Sequence, residues 1–157
     1  MKWISQIGAR AGHDSLTGVL NLGSFFNQLG AALAMNAPVW LVMIEVDDPE
    51  ADLVLLRAVA AAMYRPEAVV ARGPGDEFVA LLVGADSETV GRYCDAVERS
   101  LLDSEVIELA SRRRPGPALN IGVAGSRGRS TSMVDLLQQA EHDLHADREE
   151  NRARRAA

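Results

Sequence analysis

Eight consecutive residues, Val39-Trp40-Leu41-Val42-Met43-Ile44-Glu45-Val46, constrain this chain more than any other stretch. The run is apolar almost throughout, carries no polar alternation and is of strand length, which is the pattern of a central strand covered on both faces. A strand of that kind obliges the rest of the chain to supply two apolar layers. The helical periodicities that could do so are present. One runs from about Leu22 to Met35, with Phe25, Phe26, Leu29 and Leu33 on one face, and Asn36 and Pro38 end it. A second is opened by Pro49 and reaches about Tyr64. A third starts at Ser87 and Glu88 and carries Val90, Tyr93, Cys94, Val97 and Leu101. The last, capped by Ser130 or Thr131, runs through Leu136, Leu137, Ala140 and Leu144. Ala68 to Arg72 and Phe78 to Val83 read as short strands flanking a Gly/Pro-rich hairpin, and Ala118 to Ala124 reads as one more. Arg112 to Pro117 reads as a loop. The expected architecture is an α/β chain of the α+β sandwich type, a central mixed, largely antiparallel sheet of about five strands wrapped by helices.

At 157 residues the chain is one domain, large enough to bury about two-thirds of its unfolded surface without a disulfide or metal staple. Trp3, Ile4 and Ile7 have helical spacing, so residues 1–12 are expected to form a short N-terminal helix or linker and 13–157 the domain. The balance of 16 basic to 22 acidic residues, a net charge of -6, excludes a uniformly basic nucleic-acid surface. The single cysteine excludes a disulfide framework and a Cys-rich zinc site. No apolar run reaches a membrane span and the first six residues have no signal-peptide core, so the expectation is a cytoplasmic protein with neither a membrane nor a nucleic-acid partner. The arginines at 112–114, and Arg148, Arg152, Arg154 and Arg155, read first as solvated surface.

The residues richest in chemistry are Arg72-Gly73-Pro74-Gly75-Asp76-Glu77-Phe78. Two carboxylates sit at a glycine-bearing hairpin tip, where backbone can approach a ligand closely. Neighbours in an extended chain point to opposite sides, so one of the two would face a given site. Glu45, near the end of the central strand, adds a third carboxylate. Carboxylates on adjacent strand ends can hold Mg²⁺, which takes oxygen ligands, water and substrate phosphates. His142 and His145 lie three apart on a helix with no third ligand evident and read as a solvated face. Cys94 reads as core packing and His13 as a loop contact.

These stretches, taken in order, resemble the GGDEF domain of the diguanylate cyclase family. Asp14-Ser15-Leu16-Thr17-Gly18-Val19-Leu20-Asn21 is similar to the opening D-x-L-T-G-L-x-N. Ile44-Glu45-Val46-Asp47 stands where the family has I-D-x-D, and Arg72 to Phe78 stands at the signature turn. Asn120-Ile121-Gly122-Val123-Ala124 resembles S-I-G-V-A, and Ala140 to Arg152 parallels the closing helix. The resemblance implies a nucleotidyl-cyclase-like fold and, for active members, the joining of two GTP molecules into cyclic di-GMP with Mg²⁺ or Mn²⁺, one GTP on each protomer of a homodimer. It implies metal ligands at Glu45 and Asp76, the second signature carboxylate at Glu77, nucleotide contacts at Asp52 and Gly75, and phosphate contacts at Arg148 and Arg152. A sensor domain or another protein is the partner such domains commonly serve.

The departures gather at the same places. Pro74 replaces the first signature glycine, fixing φ and removing a backbone N–H. Glu45 replaces aspartate and extends the carboxylate by a methylene. The F-K-x-x-N-D-x-x-G-H stretch after the strand is represented only by Asp48-Pro49-Glu50-Ala51-Asp52, so the guanine-reading asparagine has no counterpart and Asp52 stands alone. Leu22 stands for an arginine, Glu141 for aspartate, Asp143 for alanine and His145 for tyrosine. The product-inhibition motif R-x-x-D reads Arg65-Pro66-Glu67-Ala68, keeping its arginine as a remnant and losing its aspartate. A site built on guanine hydrogen bonds loses strongly when one is removed. The expectation is therefore a degenerate GGDEF domain without cyclase activity, a signalling or protein-interaction module. An active cyclase using Glu45, Asp76 and Glu77, and a GTP-binding sensor without chemistry, remain the alternatives.

Overall fold

The computed structural model describes residues 2–48, 51–103, 118–126 and 131–157. After a three-residue 3₁₀ turn, Ile4–Gln6, the order of elements is α1 (Leu22–Ala34), β1 (Val39–Asp47), α2 (Leu53–Met63), β2 (Val69–Arg72), β3 (Glu77–Val83), α3 (Ser87–Leu102), β4 (Ala118–Gly125) and α4 (Met133–Ala156). Among the described residues the sheet has four strands, ordered β2-β3-β1-β4, and every pair is antiparallel. The fold is the expected α+β sandwich, and four strands of the expected sheet of about five lie among the described residues. Among the described residues, parallel pairing is confined to an isolated bridge between Leu20 and Ala71.

The apolar run becomes β1, at the centre of the sheet and buried on both faces. Val42, Ile44 and Val46 face α2 and α3. Leu41 and Met43 face α1 and α4. Burying side chains of this size contributes roughly 1.5–3 kcal/mol each, so the two-sided strand anchors both layers. On the first side the Tyr93 hydroxyl donates to the Met63 carbonyl at 2.8 Å, which satisfies a buried polar group and ties α3 to the end of α2. On the second, α4 lies against β4 at Gly122. A Cβ there would fall 2.2 Å from the Ala140 carbonyl oxygen and 2.4 Å from the Leu144 nitrogen, so only glycine admits the helix.

Helix starts follow side-chain caps. Asn21, Asp52, Asp86 and Ser132 each accept a backbone N–H of the first turn. Two expectations are corrected by this. The second helix begins at Leu53 behind the Asp52 cap, with residues 51 and 52 non-helical; Pro49, the expected opener, lies outside the described residues. The last helix is capped by Ser132, not Ser130 or Thr131, because Asp135 closes a reciprocal capping box with it. The expected loop at 112–117 and its arginines also lie outside the described residues.

The N-terminal segment is packed onto the domain. Trp3 is fully buried, Asn21 Nδ2 donates to the Arg10 carbonyl at 2.9 Å, and the Gly12 N–H and C=O both bond Ser24 Oγ. Where a short N-terminal helix or linker was expected, the helical part is the single 3₁₀ turn Ile4–Gln6. Of Trp3, Ile4 and Ile7 only Trp3 is buried, while Ile7 is exposed. Among the described residues no helix is long and apolar enough to cross a membrane.

Candidate functional site

Register brings the polar residues together. On β1, Glu45 lies opposite Glu77 of β3 on one side and Asn120 of β4 on the other. Residues directly opposite share a face, so Asn120, Glu45 and Glu77 form one row across three strands, on the α4 side of the sheet. Beyond Glu77 the row reaches Gly73, whose N–H donates to the Glu77 carbonyl at 2.7 Å. Asn120 and Glu77 are the buried polar or charged residues of the described core.

Helix α4 closes one end of the row. Arg148 Nε donates to Glu45 Oε1 at 2.8 Å, and Arg148 Nη2 donates to Glu45 Oε2. Asn120 Nδ2 donates to Glu45 Oε1 at 2.9 Å, and Asn151 Nδ2 donates in turn to Asn120 Oδ1 at 2.9 Å. Both oxygens of Glu45 are thus engaged by a planar guanidinium fork, the strongest of the ordinary carboxylate pairings. Burial pushes the Glu45 carboxyl up. The bonds from Arg148 and Asn120, with the guanidinium charge, outweigh that and hold it below the usual carboxylate range. One helical turn on, Arg152 and Arg155 stand 3.7 and 3.6 Å from Asp47 Oδ2.

Glu77 is in the opposite situation. Its Oε2 is buried without a hydrogen-bond partner, and the nearest cation, Lys2 Nζ, is 3.9 Å away. Burial raises its carboxyl above the usual range, Glu45 and Glu141 add to the rise, and Lys2 and Arg148 only partly oppose it. Asp76 lies in the turn itself, where its carbonyl accepts the Val46 N–H at 3.0 Å. Gly75 occupies the left-handed region, φ 61°, as the turn requires. Arg72 ties that turn to the opening segment: Nη2 donates to the Gly75 carbonyl at 3.3 Å and Nη1 to Asp14 Oδ2 at 3.5 Å. Asp14 also accepts the Thr17 N–H and hydroxyl.

The other residues singled out in the sequence make bonds within the fold. Asp52 caps α2 through the Leu55 N–H at 2.9 Å. Arg65, expected as the inhibitory-site remnant, donates Nη2 to the Ala96 carbonyl at 3.1 Å and to Ser100 Oγ at 2.9 Å, fastening the β2 approach to α3. His145 Nδ1 lies 3.2 Å from Arg148 Nη1, and Cys94 is half-buried at the edge of the core, its thiol pushed up to about 11 by burial. The structure therefore brings Glu45, Glu77 and Arg148 together, leaves Asp76 in the turn and Arg152 at the surface, and places Asp52 and Arg65 elsewhere.

Several residues of the site were missed in the sequence. Asn120 and Asn151 complete the Glu45 network. Asp147 Oδ2 and Asp143 Oδ2 accept the outward Ile121 and Val123 N–H groups, each at 2.8 Å, and so cover the edge of β4. The i, i+4, i+8 spacing of Asp143, Asp147 and Asn151 was the available signal. Trp3 and Lys2, which close the other end of the row, gave none.

The residues present do not fit a divalent cation. Glu45, the expected first ligand, has both oxygens committed to Arg148 and Asn120. Among the described residues no three carboxylate, imidazole or thiol side chains converge as a metal site requires.

A four-stranded antiparallel sheet between two helical layers, with an acidic hairpin beside the end of its central strand, defines the nucleotidyl-cyclase-like class of α+β sandwiches. The family model "Diguanylate cyclase, GGDEF domain" matches residues 11–154, and the chain belongs to that family. Solved structures agree on the fold. The GGDEF domain of PA1120 (TpbB or YfiN) from Pseudomonas aeruginosa is 24% identical with a TM-score of 0.73, over 88% of this chain and 90% of that one. The GGDEF domain of DgcB from Caulobacter crescentus, solved in complex with c-di-GMP, is 18% identical with a TM-score of 0.71, over 91% and 93%. Diguanylate cyclase SiaD from Pseudomonas aeruginosa, solved with its activator SiaC, is 19% identical with a TM-score of 0.71, over 88% of this chain and 58% of that one. No curated protein matches the sequence.

Proposed function

We propose that this chain is a degenerate, non-catalytic GGDEF domain that works as a signalling or protein-interaction module in cyclic di-GMP pathways. The observation that carries the reading is the pairing of Glu45 with Arg148 and Asn120. Active members hold Mg²⁺ or Mn²⁺ with the carboxylate at this position and contact phosphate with the cation of the closing helix. Here the two groups neutralise each other. A divalent ion would have to displace a two-pronged guanidinium, and a phosphate would have to draw Arg148 off a partly buried carboxylate. Three further features support the reading: Pro74 at the signature, Asp52 committed to a helix cap, and Arg65 committed to α3. The SiaD structure contains a protein activator, and a protein partner is the occupant we assign to this domain's working surface. Its working place is the cytoplasm.

Calorimetric titration of GTP in the presence of Mg²⁺ or Mn²⁺, followed by chromatography for cyclic di-GMP, tests the proposal. No saturable binding up to millimolar GTP, and no product, is the expected result. Saturable binding without product would favour a GTP sensor instead. Metal-dependent product formation that Asp76→Ala abolishes would establish an active cyclase and overturn the proposal.

A further inference from the structure

The end of the polar row that α4 does not cover is closed by the N-terminal segment, and the closure rests on a single side chain. Trp3 is fully buried, whereas the rest of residues 2–11 are exposed or at most half-exposed. The indole lies on Gly73, the residue that opens the signature turn. A Cβ at Gly73 would meet Trp3 Cη2 at 2.2 Å and Cζ2 at 2.6 Å. Beside it, Lys2 Nζ is the cation nearest the buried, unpartnered Oε2 of Glu77. Between this anchor and α1 stands Gly8 with φ 86°, in the left-handed region where the chain can swing without a Cβ penalty. The segment is secured again at Arg10 and Gly12, through Asn21 and Ser24.

We propose that residues 2–8 are a strap that controls the signature hairpin. With Trp3 seated on Gly73, the turn is clamped and Glu77 is sealed. With Trp3 withdrawn, the turn from Gly73 to Glu77 loosens and the Glu77 carboxylate opens to solvent. Elements held by few buried contacts open locally at lower cost than the sheet they cover. One buried anchor in ten residues is such an element, while the strands beneath it are closed on both faces. The strap therefore couples whatever engages the first residues of the chain to the turn that the family uses for its chemistry. The coupling runs through packing, so it does not depend on whether this domain is catalytic.

The test uses the full chain and amide hydrogen exchange, with 5-fluorotryptophan NMR to follow Trp3 separately from Trp40. Gly73→Ala should expel the indole, because the added methyl occupies its place. The Trp3 resonance should move to a solvent-exposed position. The amides of Gly73, Glu77 and Val46, which bond Glu77, Pro74 and Asp76 across the turn, should exchange faster by about tenfold or more. Those of Met43 and Leu81, in the centre of the sheet, should keep their protection. Trp3→Leu combined with Gly73→Ala makes room for the methyl and should return the hairpin's protection most of the way. An unmoved Trp3 resonance with unchanged exchange in Gly73→Ala would overturn the proposal. So would acceleration spread evenly over the sheet, which would make Trp3 ordinary core. Failure of the double variant to restore protection while still folded would also overturn it.

Discussion

Replacing Arg148 by methionine keeps most of the side chain's apolar bulk and removes the fork that holds Glu45. The magnitude follows from burial. Breaking a fully buried ion pair by deleting one partner costs about 3–5 kcal/mol, because the other charge is stranded. Exposed pairs contribute about 0.2–1 kcal/mol. Arg148 and Glu45 are 22% and 16% exposed, and Asn120 still donates to Glu45 in the variant, so a loss of about 2 kcal/mol is expected, between those limits. For a chain of this size that corresponds to a fall in Tm of about 4–8 °C. The loss also has a pH signature. Glu45 sits below its ordinary value in the folded state, so its contribution is present above that value, 4.5, and is lost as pH falls through the folded one. The stability gap between the native chain and R148M, measured by urea denaturation, should therefore be full at neutral pH and shrink as Glu45 protonates. Arg148→Lys, which offers a point charge without the fork, should fall between the two. Equal stabilities at neutral pH, or a gap that acidification leaves unchanged, would refute the account of the pair.

Glu77→Gln should act in the opposite sense. Burial raises Glu77 above its ordinary value, with Glu45 and Glu141 adding and Lys2 and Arg148 opposing, so its charge destabilises the fold as pH rises from 4.5 through the folded value. The variant should gain about 1 kcal/mol at neutral pH, and the gain should vanish in acid, as denaturation at the two pH values will show. Gly122→Ala should cost about 3 kcal/mol or prevent folding, because the methyl would meet the α4 backbone at 2.2 Å and backbone cannot step aside cheaply; thermal unfolding monitored by circular dichroism reads it. Asp147→Ala should free the outward Ile121 N–H, cost about 1 kcal/mol, and accelerate amide exchange at Ile121 while leaving Met43 protected.

What could be read in advance was what is local. The apolar run at residues 39–46 specified a two-sided central strand because burial on both faces leaves a continuous pattern. The hairpin was legible because Gly73, Pro74 and Gly75 are turn chemistry. The starts of α1 and α3 stand where the periodicity put them, at Leu22 and Ser87, whereas the last helix needed its cap weighed with the third neighbour. Ser130, Thr131 and Ser132 are all capable caps, but Asp135 stands three after Ser132 alone, and that choice fixes the start. Pro49 suggested an early start to α2 because proline is favoured in a first turn, yet the Asp52 carboxylate captures the Leu55 N–H and sets it later.

The site was legible as a list of residues and not as an arrangement. Glu45, Glu77 and Arg148 were all singled out, but Arg148 and Glu45 are separated by 103 positions, and nothing in either neighbourhood says that one will grip the other. Which of Asp76 and Glu77 would face Glu45 depended on a register that places Glu77 opposite it, and a shift of one residue would have reversed the choice. In the sequence Asn120 is read only as the first residue of the stretch that resembles S-I-G-V-A, and that same register sets it beside Glu45.

The arrangement has a common physical cause. Glu45, Asp47 and Glu77 lie at adjoining strand ends, where like charges in a partly buried site repel and burial disfavours the charge on Glu45 and Glu77. A fold can relieve this with a bound cation, by losing the carboxylates, or by supplying cations of its own. This chain follows the third course with residues from its two ends. Arg148, Arg152 and Arg155 come from the last helix, and Lys2 comes from the first residues. The pairing is uneven, since the guanidinium fork fully satisfies Glu45 while Lys2 stands 3.9 Å from a Glu77 oxygen that has no hydrogen bond. A closed site with one well-held carboxylate and one poorly held carboxylate will open first at the poorly held one, which is the end covered by Trp3.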